Sequence, residues 1–211
     1  MTAELDQRVA PLGNPTGQKF TPVDPARPSG AKMKGFPLLH LLDLMDQRGP
    51  QVAAAWRATL PEALRAGTER RALTSVSWVP VEFYFHGVTF LAQQQGGGPR
   101  GAISVGHHTA SQDIGAFFRF VLAMTSPATV LGLSGRFWKS YFDRSSLHVL
   151  SSTPTSVVVE VRDWPLSDEH SLYEMAGSLV AWMEASRARD VRMPRLELTK
   201  PGNLLIEANW S

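Results

Sequence analysis

The 211-residue sequence contains no cysteine. That excludes disulfide frameworks, thiolate zinc sites and cysteine nucleophiles together, and it fits a reducing compartment. Long apolar runs are also missing. The densest, Phe36 to Met45, is broken by His40 and Asp43, well short of the eighteen or so residues a membrane span needs. The first residues, Met-Thr-Ala-Glu-Leu-Asp-Gln-Arg, lack a basic stretch followed by an apolar one, so no secretory signal is read there. A cytoplasmic protein with no membrane contact is expected. Neither charge sign dominates: 21 bases against 19 acids leave a net charge of +2, which neither demands nor excludes a polyanionic partner.

What is present is apolar patterning. Hydrophobic residues make up 43% of the chain, an ordinary share for a globular protein, and the length suffices for one domain with a substantial core. Residues 1–32 stand apart, with five prolines (Pro11, Pro15, Pro22, Pro25 and Pro28) and few large apolar side chains. Proline removes a backbone donor and disfavours helix at the residue before it, so an extended arm is expected over 1–32. It reads either as an inert tail or as a segment that orders on a partner, with Phe20 and Val23 as anchors. A single α+β domain is expected over 33–211.

Within that domain, Phe36, Leu38, Leu39, Leu41, Leu42, Leu44 and Met45 predict a helix that is apolar nearly all round and ends at Gly49-Pro50. Such a helix is buried on several sides or used in an interface. Gln51 to Leu60 reads as a short second helix and residues 65–77 as a polar loop. Pro80 fits the first turn of a third helix through Phe83, Tyr84, Val88 and Leu91. Gln93 to Arg100, with three consecutive glycines, reads as a flexible connector, and no Gly-Lys-Ser/Thr follows to make it a phosphate loop. Thr109 or Ser111 can cap a helix carrying Ile114, Phe117, Phe118, Val121 and Leu122 on one face, and Ser126-Pro127 restarts helix at once.

The second half turns to strands. Leu147–Leu150 and Val157–Val161 flank Thr153-Pro154-Thr155 as a hairpin. Ser167, followed by Asp168 and Glu169, opens a helix whose core face is Leu172, Met175 or Ala176, Leu179 and Met183. Arg195–Thr199 and Leu204–Ala208 form a second hairpin across Lys200-Pro-Gly-Asn203, which suits a type II turn. The fold class expected is α+β: a helical N-terminal half, then two antiparallel hairpins flanking a long helix.

Trp78-Val79-Pro80, Ser126-Pro127, Phe137-Trp138-x-x-Tyr141-Phe142-Asp143, Gly177 and Trp210, in that order of elements, resemble one superfamily over roughly residues 35–210. It comprises the heme-NO-binding-like, 4-vinyl-reductase-like and TRAPP-like domains, and within it the chain most resembles a paralogous family abundant in myxobacteria. Heme-binding members use a proximal histidine on a helix and a Tyr-x-Ser-x-Arg motif that holds the propionates. The nearest text here, Ser140-Tyr-Phe-Asp-Arg-Ser145, lacks that spacing. Members of the 4-vinyl-reductase-like group often carry cysteines around the last hairpin, and these too are missing. The resemblance therefore implies a binding or sensing scaffold that has lost its cofactor chemistry.

Candidate chemistry is sparse. His107-His108 is the sole histidine pair, and adjacent residues point apart, so a metal would need His86 or Asp113 to converge on it. The pair reads instead as part of a solvated loop before a helix cap. Leu131-Gly132-Leu133-Ser134-Gly135 misses the Gly-x-Ser-x-Gly spacing of a nucleophile elbow and follows a helix instead of a strand. Arg187, Arg189, Arg192 and Arg195, with Lys200, complement a helix C-terminus and lack a nucleic-acid-reading motif. No catalytic residue, metal or cofactor is expected, and no enzyme.

Two functions remain open. The first is a non-catalytic protein-interaction or adaptor module in a bacterial signalling or regulatory assembly, acting as an oligomer and most simply as a homodimer. Phe36, Leu39, Leu42 and Met45 would form its interface, with Phe20 and Val23 docking a protein partner. The second is a sensor domain that binds a small apolar ligand between helices and sheet, with Phe83, Phe117, Trp138 and Trp182 lining the pocket.

Overall fold

Gly49 and Pro50 end one helix and begin the next. Gly49 takes a φ of 141°, outside the helical region, and Pro50 occupies a first-turn position where its missing N–H costs nothing. A computed structural model describes the backbone of residues 2–114 and 127–211 and the side chains of residues 4–114 and 134–211. Its elements are α1 (Thr2–Gln7), β1 (Leu12–Gly13), β2 (Lys32–Lys34), α2 (Gly35–Arg48), α3 (Pro50–Ala58) and α4 (Glu62–Arg65). After two 3₁₀ turns at Ala66–Thr68 and Arg70–Ala72 come β3 (Trp78–Pro80), α5 (Val81–Gln94), α6 (Gly101–Asp113) and α7 (Pro127–Tyr141). The chain closes with β4 (Ser146–Ser152), β5 (Ser156–Arg162), α8 (Glu169–Ala185), β6 (Arg192–Lys200) and β7 (Asn203–Asn209).

The two hairpins join edge to edge through β5 and β7, giving a five-stranded sheet in the order β1-β6-β7-β5-β4. All its pairings are antiparallel except that of β1 with β6. Strand alternation puts one face inside: Val157, Val159 and Val161 are buried on β5, opposite Ala208, Ile206 and Leu204 on β7. Gly202, at φ 76°, turns β6 into β7 as the Pro-Gly pair requires. Asp168, one residue later than expected, caps α8: its Oδ2 accepts from the Ser171 N–H at 3.0 Å.

Helix α8 crosses α6 at close range. A Cβ on Gly106 would collide with the Glu174 carbonyl, and one on Gly177 with the Ile103 carbonyl, so the crossing exists because both positions lack a side chain. Helix α7 packs along β4, and α2 is enclosed by α3, α5 and α6.

Three expectations are corrected. Residues 1–32 are not a free arm. Leu5, Val9, Val23 and Ala31 are buried in the main core, and β1 extends the sheet beside β6. Prolines keep most of this segment out of helix, but extended chain can still pair and bury side chains, so Met33 marks no packing boundary. The second correction concerns α2, whose Leu42 and Met45, with Leu38 and Leu41, are fully buried against the chain's own helices. Phe36 and Leu39 are half-buried, as is Phe20. An all-round apolar helix here means enclosure, so Leu42 and Met45 are not free to pair with a second copy. Third, His107 and His108, expected in a loop before a helix cap at Thr109 or Ser111, lie inside α6, which starts at Gly101.

Candidate functional site

The site is built where α6, α7 and α8 meet the sheet. On α7, Phe137, Trp138 and Tyr141 share one face by their spacing of one and four residues. On α8, Met175, Leu179 and Met183 line one row, with Glu174, Ser178 and Trp182 beside it. Helix α6 contributes Thr109, Ala110 and Asp113, and β5 and β7 close the floor with Val161 and Ile206. Together with Tyr84 of α5 and Met33, these residues surround a cavity of about 130 Å³.

Six aromatic side chains, Tyr84, Phe137, Trp138, Tyr141, Phe142 and Trp182, are among its walls. Trp182 stacks on Phe137 with centroids 5.9 Å apart and meets Tyr141 edge-on at 6.3 Å. Trp138 lies 4.7 Å from Phe142, and both contact Trp164 deeper in the core. The Trp138 indole N–H is satisfied by Ser145 Oγ at 2.9 Å, which fixes the ring.

Two buried carboxyl groups interrupt this apolar lining. The Tyr84 hydroxyl donates to Glu174 Oε1 at 2.7 Å, Ser178 Oγ donates to the same oxygen at 2.8 Å, and Thr109 Oγ1 lies 2.8 Å from the Tyr84 hydroxyl. Burial pushes Glu174 up to about 7, against the hydrogen bonds that favour its charge. Burial, reinforced by Glu174, also raises Tyr84 well above its ordinary value, so the phenol remains a donor. The second carboxyl group is Asp113, held by His40 Nδ1 and by the Tyr141 hydroxyl. The hydrogen bond to Asp113 raises His40, while burial raises Asp113 against the pull of both partners.

Of the pocket residues read from sequence, Trp138 and Trp182 line the cavity. Phe83 does not: it is buried in the core near Gly67, a helical step away from Tyr84. Phe117, with Phe118, Val121 and Leu122, lies outside the described residues. Ser134 sits inside helix α7, not on a strand-to-helix elbow. His107 and His108 are on α6, and His107 Nε2 pairs with Glu184 at 2.8 Å. Among the described residues no cluster of three or more potential metal ligands occurs, and no helix is long and apolar enough to cross a membrane.

Sequence reasoning passed over Glu174 and weighed Asp113 only as a possible metal partner of the histidine pair. A signal for both was present: Glu174 is the sole charged residue between Ser171 and Met183, and Asp113 the sole acid between Gly101 and Phe118. A lone acid in so apolar a stretch is either turned to water or functional.

The sequence matches no protein-family model and no curated protein. Solved structures do match. The H-NOX protein from K. algicida, in an unliganded Fe(II) state, superposes with a TM-score of 0.64 at 14% identity, over 85% of this chain and 97% of its own. The fold is H-NOX-like. An H-NOX protein from S. oneidensis in the Fe(II)NO state gives 0.60 at 12% identity, over 85% and 99%. An oxygen-binding H-NOX domain related to soluble guanylate cyclases gives 0.57 at 11%, over 85% and 95%. These likenesses show the fold alone: the expected α+β class, in an arrangement like that of H-NOX domains.

The described residues do not fit a heme. A cavity of about 130 Å³ is below the roughly 300–1,000 Å³ of sites for larger ligands. Among the described residues no histidine lines it. His40 holds Asp113, His86 accepts from Trp56, His107 holds Glu184, His148 bonds Ser146 and His170 sits on Asp168. His108, whose Nε2 is buried without a partner among the described residues, lies beside Arg48, His107 and His40, not in the cavity. Among the described residues the ionisable acids at the cavity are two carboxyls, and no lysine or arginine lines it to anchor propionates.

Proposed function

We propose that this chain is a non-catalytic sensor domain of the heme-NO-binding-like superfamily that has exchanged heme for one small, largely apolar organic molecule. The observation that carries this reading is the aromatic-lined cavity of about 130 Å³. A cavity of about 150 Å³ in another protein takes benzene, so the size here suits a single ring or a short branched chain. Trp138, Trp182 and Phe137 supply apolar area and ring faces, and the buried hydroxyls and carboxyls orient the occupant. Within the superfamily we group the chain with the 4-vinyl-reductase-like and TRAPP-like branches, on the order of its motifs and on a site ill-suited to heme.

Helices α6, α7 and α8 all touch the occupant, so filling the cavity would stiffen their packing and pass the signal by contact to a protein partner. This favours the sensor over a purely interfacial adaptor, two of whose expected contact residues on α2, Leu42 and Met45, are fully buried. The test is calorimetric titration of the full chain with benzyl alcohol, followed in parallel by tryptophan fluorescence. Saturable one-to-one binding with a change in indole emission is expected; absence of binding across a panel of single-ring compounds overturns the reading.

A further inference from the structure

We infer that the occupant carries a basic nitrogen: a small organic ammonium, its charge set between the Glu174 and Asp113 carboxylates and its apolar part against the ring faces of α7 and α8. This rests on the reading of the cavity as a ligand site and adds the chemical class of the ligand.

The cavity's polar lining is one-sided. Its ionisable acids, among the described residues, are Glu174 and Asp113; the lining includes no lysine, arginine or histidine, and the one basic partner, His40, meets Asp113 from outside it. Glu174 is 5% exposed, and its Oε1 already serves Tyr84 and Ser178. Both hydrogen bonds described for its carboxyl group fall on Oε1 and none on Oε2. Asp113 is braced from outside the cavity by His40 and from α7 by Tyr141, so its place at the wall is fixed by partners on two elements.

Each ligand class meets this lining differently. A carboxylate would face two acids at short range and be excluded. A hydrocarbon would shut Oε2 away from water with nothing to replace it, which is the costly way to bury an acceptor. An alcohol brings one donor and no charge. An ammonium brings two or three donors and a charge, forms charge-assisted bonds to carboxylates, and is attracted by aromatic rings such as those that line the cavity. Desolvation is tolerable because both kinds of partner are already in place before the ligand enters.

The experiment compares benzylamine, benzyl alcohol, toluene and benzoate on the full chain at neutral pH, by calorimetry and by shift in melting temperature. Benzylamine is expected to bind at least about tenfold more tightly than benzyl alcohol, about 1.4 kcal/mol, with benzoate not binding. In Glu174→Gln the ratio of the two affinities should fall by about tenfold or more, and Asp113→Asn provides the same reading should the first variant fold poorly. Benzyl alcohol binding as well as benzylamine, or a ratio untouched by either substitution, overturns this inference but leaves the small-ligand reading standing. Failure of all four compounds to bind overturns both.

Discussion

The Tyr84 hydroxyl on α5 donates to Glu174 Oε1 on α8 across 2.7 Å of buried interior. The bond favours the carboxylate, yet burial prevails and holds Glu174 near 7 instead of 4.5. The folded state therefore binds this proton more tightly than the unfolded chain does. Stability from this group is complete below about pH 4.5 and is lost as pH rises through about 7. The rise corresponds to roughly 3 kcal/mol. His40, raised by Asp113, acts in the same direction. Urea unfolding should show the protein less stable at about pH 8 than at about pH 5 by roughly that amount, and Glu174→Gln should remove more than half of the difference. An equal loss in both proteins would show that Glu174 is not the titrating group.

Gly106 and Gly177 set the distance between α6 and α8, each meeting a carbonyl of the opposite helix. Alanine at either position must push the helices apart, which opens the cavity wall as well as the core. Gly106→Ala and Gly177→Ala are each expected to lower unfolding free energy by about 1–3 kcal/mol, the usual cost of overpacking, or more. Gly67→Ala, where a Cβ would meet the Phe83 ring at an ordinary 3.5 Å, is the control and should be near neutral. Comparable effects at all three positions would count against a close helix crossing.

The N-terminal 32 residues supply their own test. Ala10 N–H donates to the Met193 carbonyl at 2.8 Å, and the Met193 N–H to the Arg8 carbonyl at 2.7 Å. Arg100 grips the carbonyls of Asp6 and Val9, and Ser29 donates twice to the buried Glu82, each at 2.6 Å. Removing residues 1–32 exposes the β6 edge and the surface under Leu5, Val9 and Val23, each contributing about 1.5–3 kcal/mol of burial. The shortened chain should melt at least about 10 °C lower or fail to melt cooperatively. A melting temperature barely different from that of the full chain would restore the free arm.

What the sequence made legible was local. The hairpins follow from period-two alternation at Val157, Val159 and Val161 and from the Pro201-Gly202 turn, signals held within short stretches of chain. Helix α5 follows from its apolar spacing. Helix α6 does not, because Gly101, Gly106, Ser104, Thr109 and two histidines are weak helix formers; packing on α8 and α2 holds it, and packing is long-range. The docked N-terminal segment was hidden for the same reason, since proline content reports what a backbone avoids, not what it lies against. At the site, aromatic content pointed to Trp138 and Trp182. Phe83 misled because its neighbour Tyr84, turned about 100° further round the helix, is the one that faces the cavity.

The cavity carries a cost that can be measured. The apolar walls around this space of about 130 Å³ forgo packing contacts with one another, which lowers stability. A fold under no functional demand could recover part of that with one larger side chain. Ala110 is the place: it is 3% exposed, lines the cavity and lies on α6, where leucine is nearly as good a helix former as alanine. Ala110→Leu is expected to leave the fold intact and to raise unfolding free energy by about 1 kcal/mol, from the portion of void it fills. It should at the same time abolish benzyl alcohol binding, because the added isobutyl group occupies the volume the ring requires. Stability and binding then move in opposite directions, which a merely structural role for the cavity would not produce. Retained binding in a folded Ala110→Leu protein would place the ligand elsewhere.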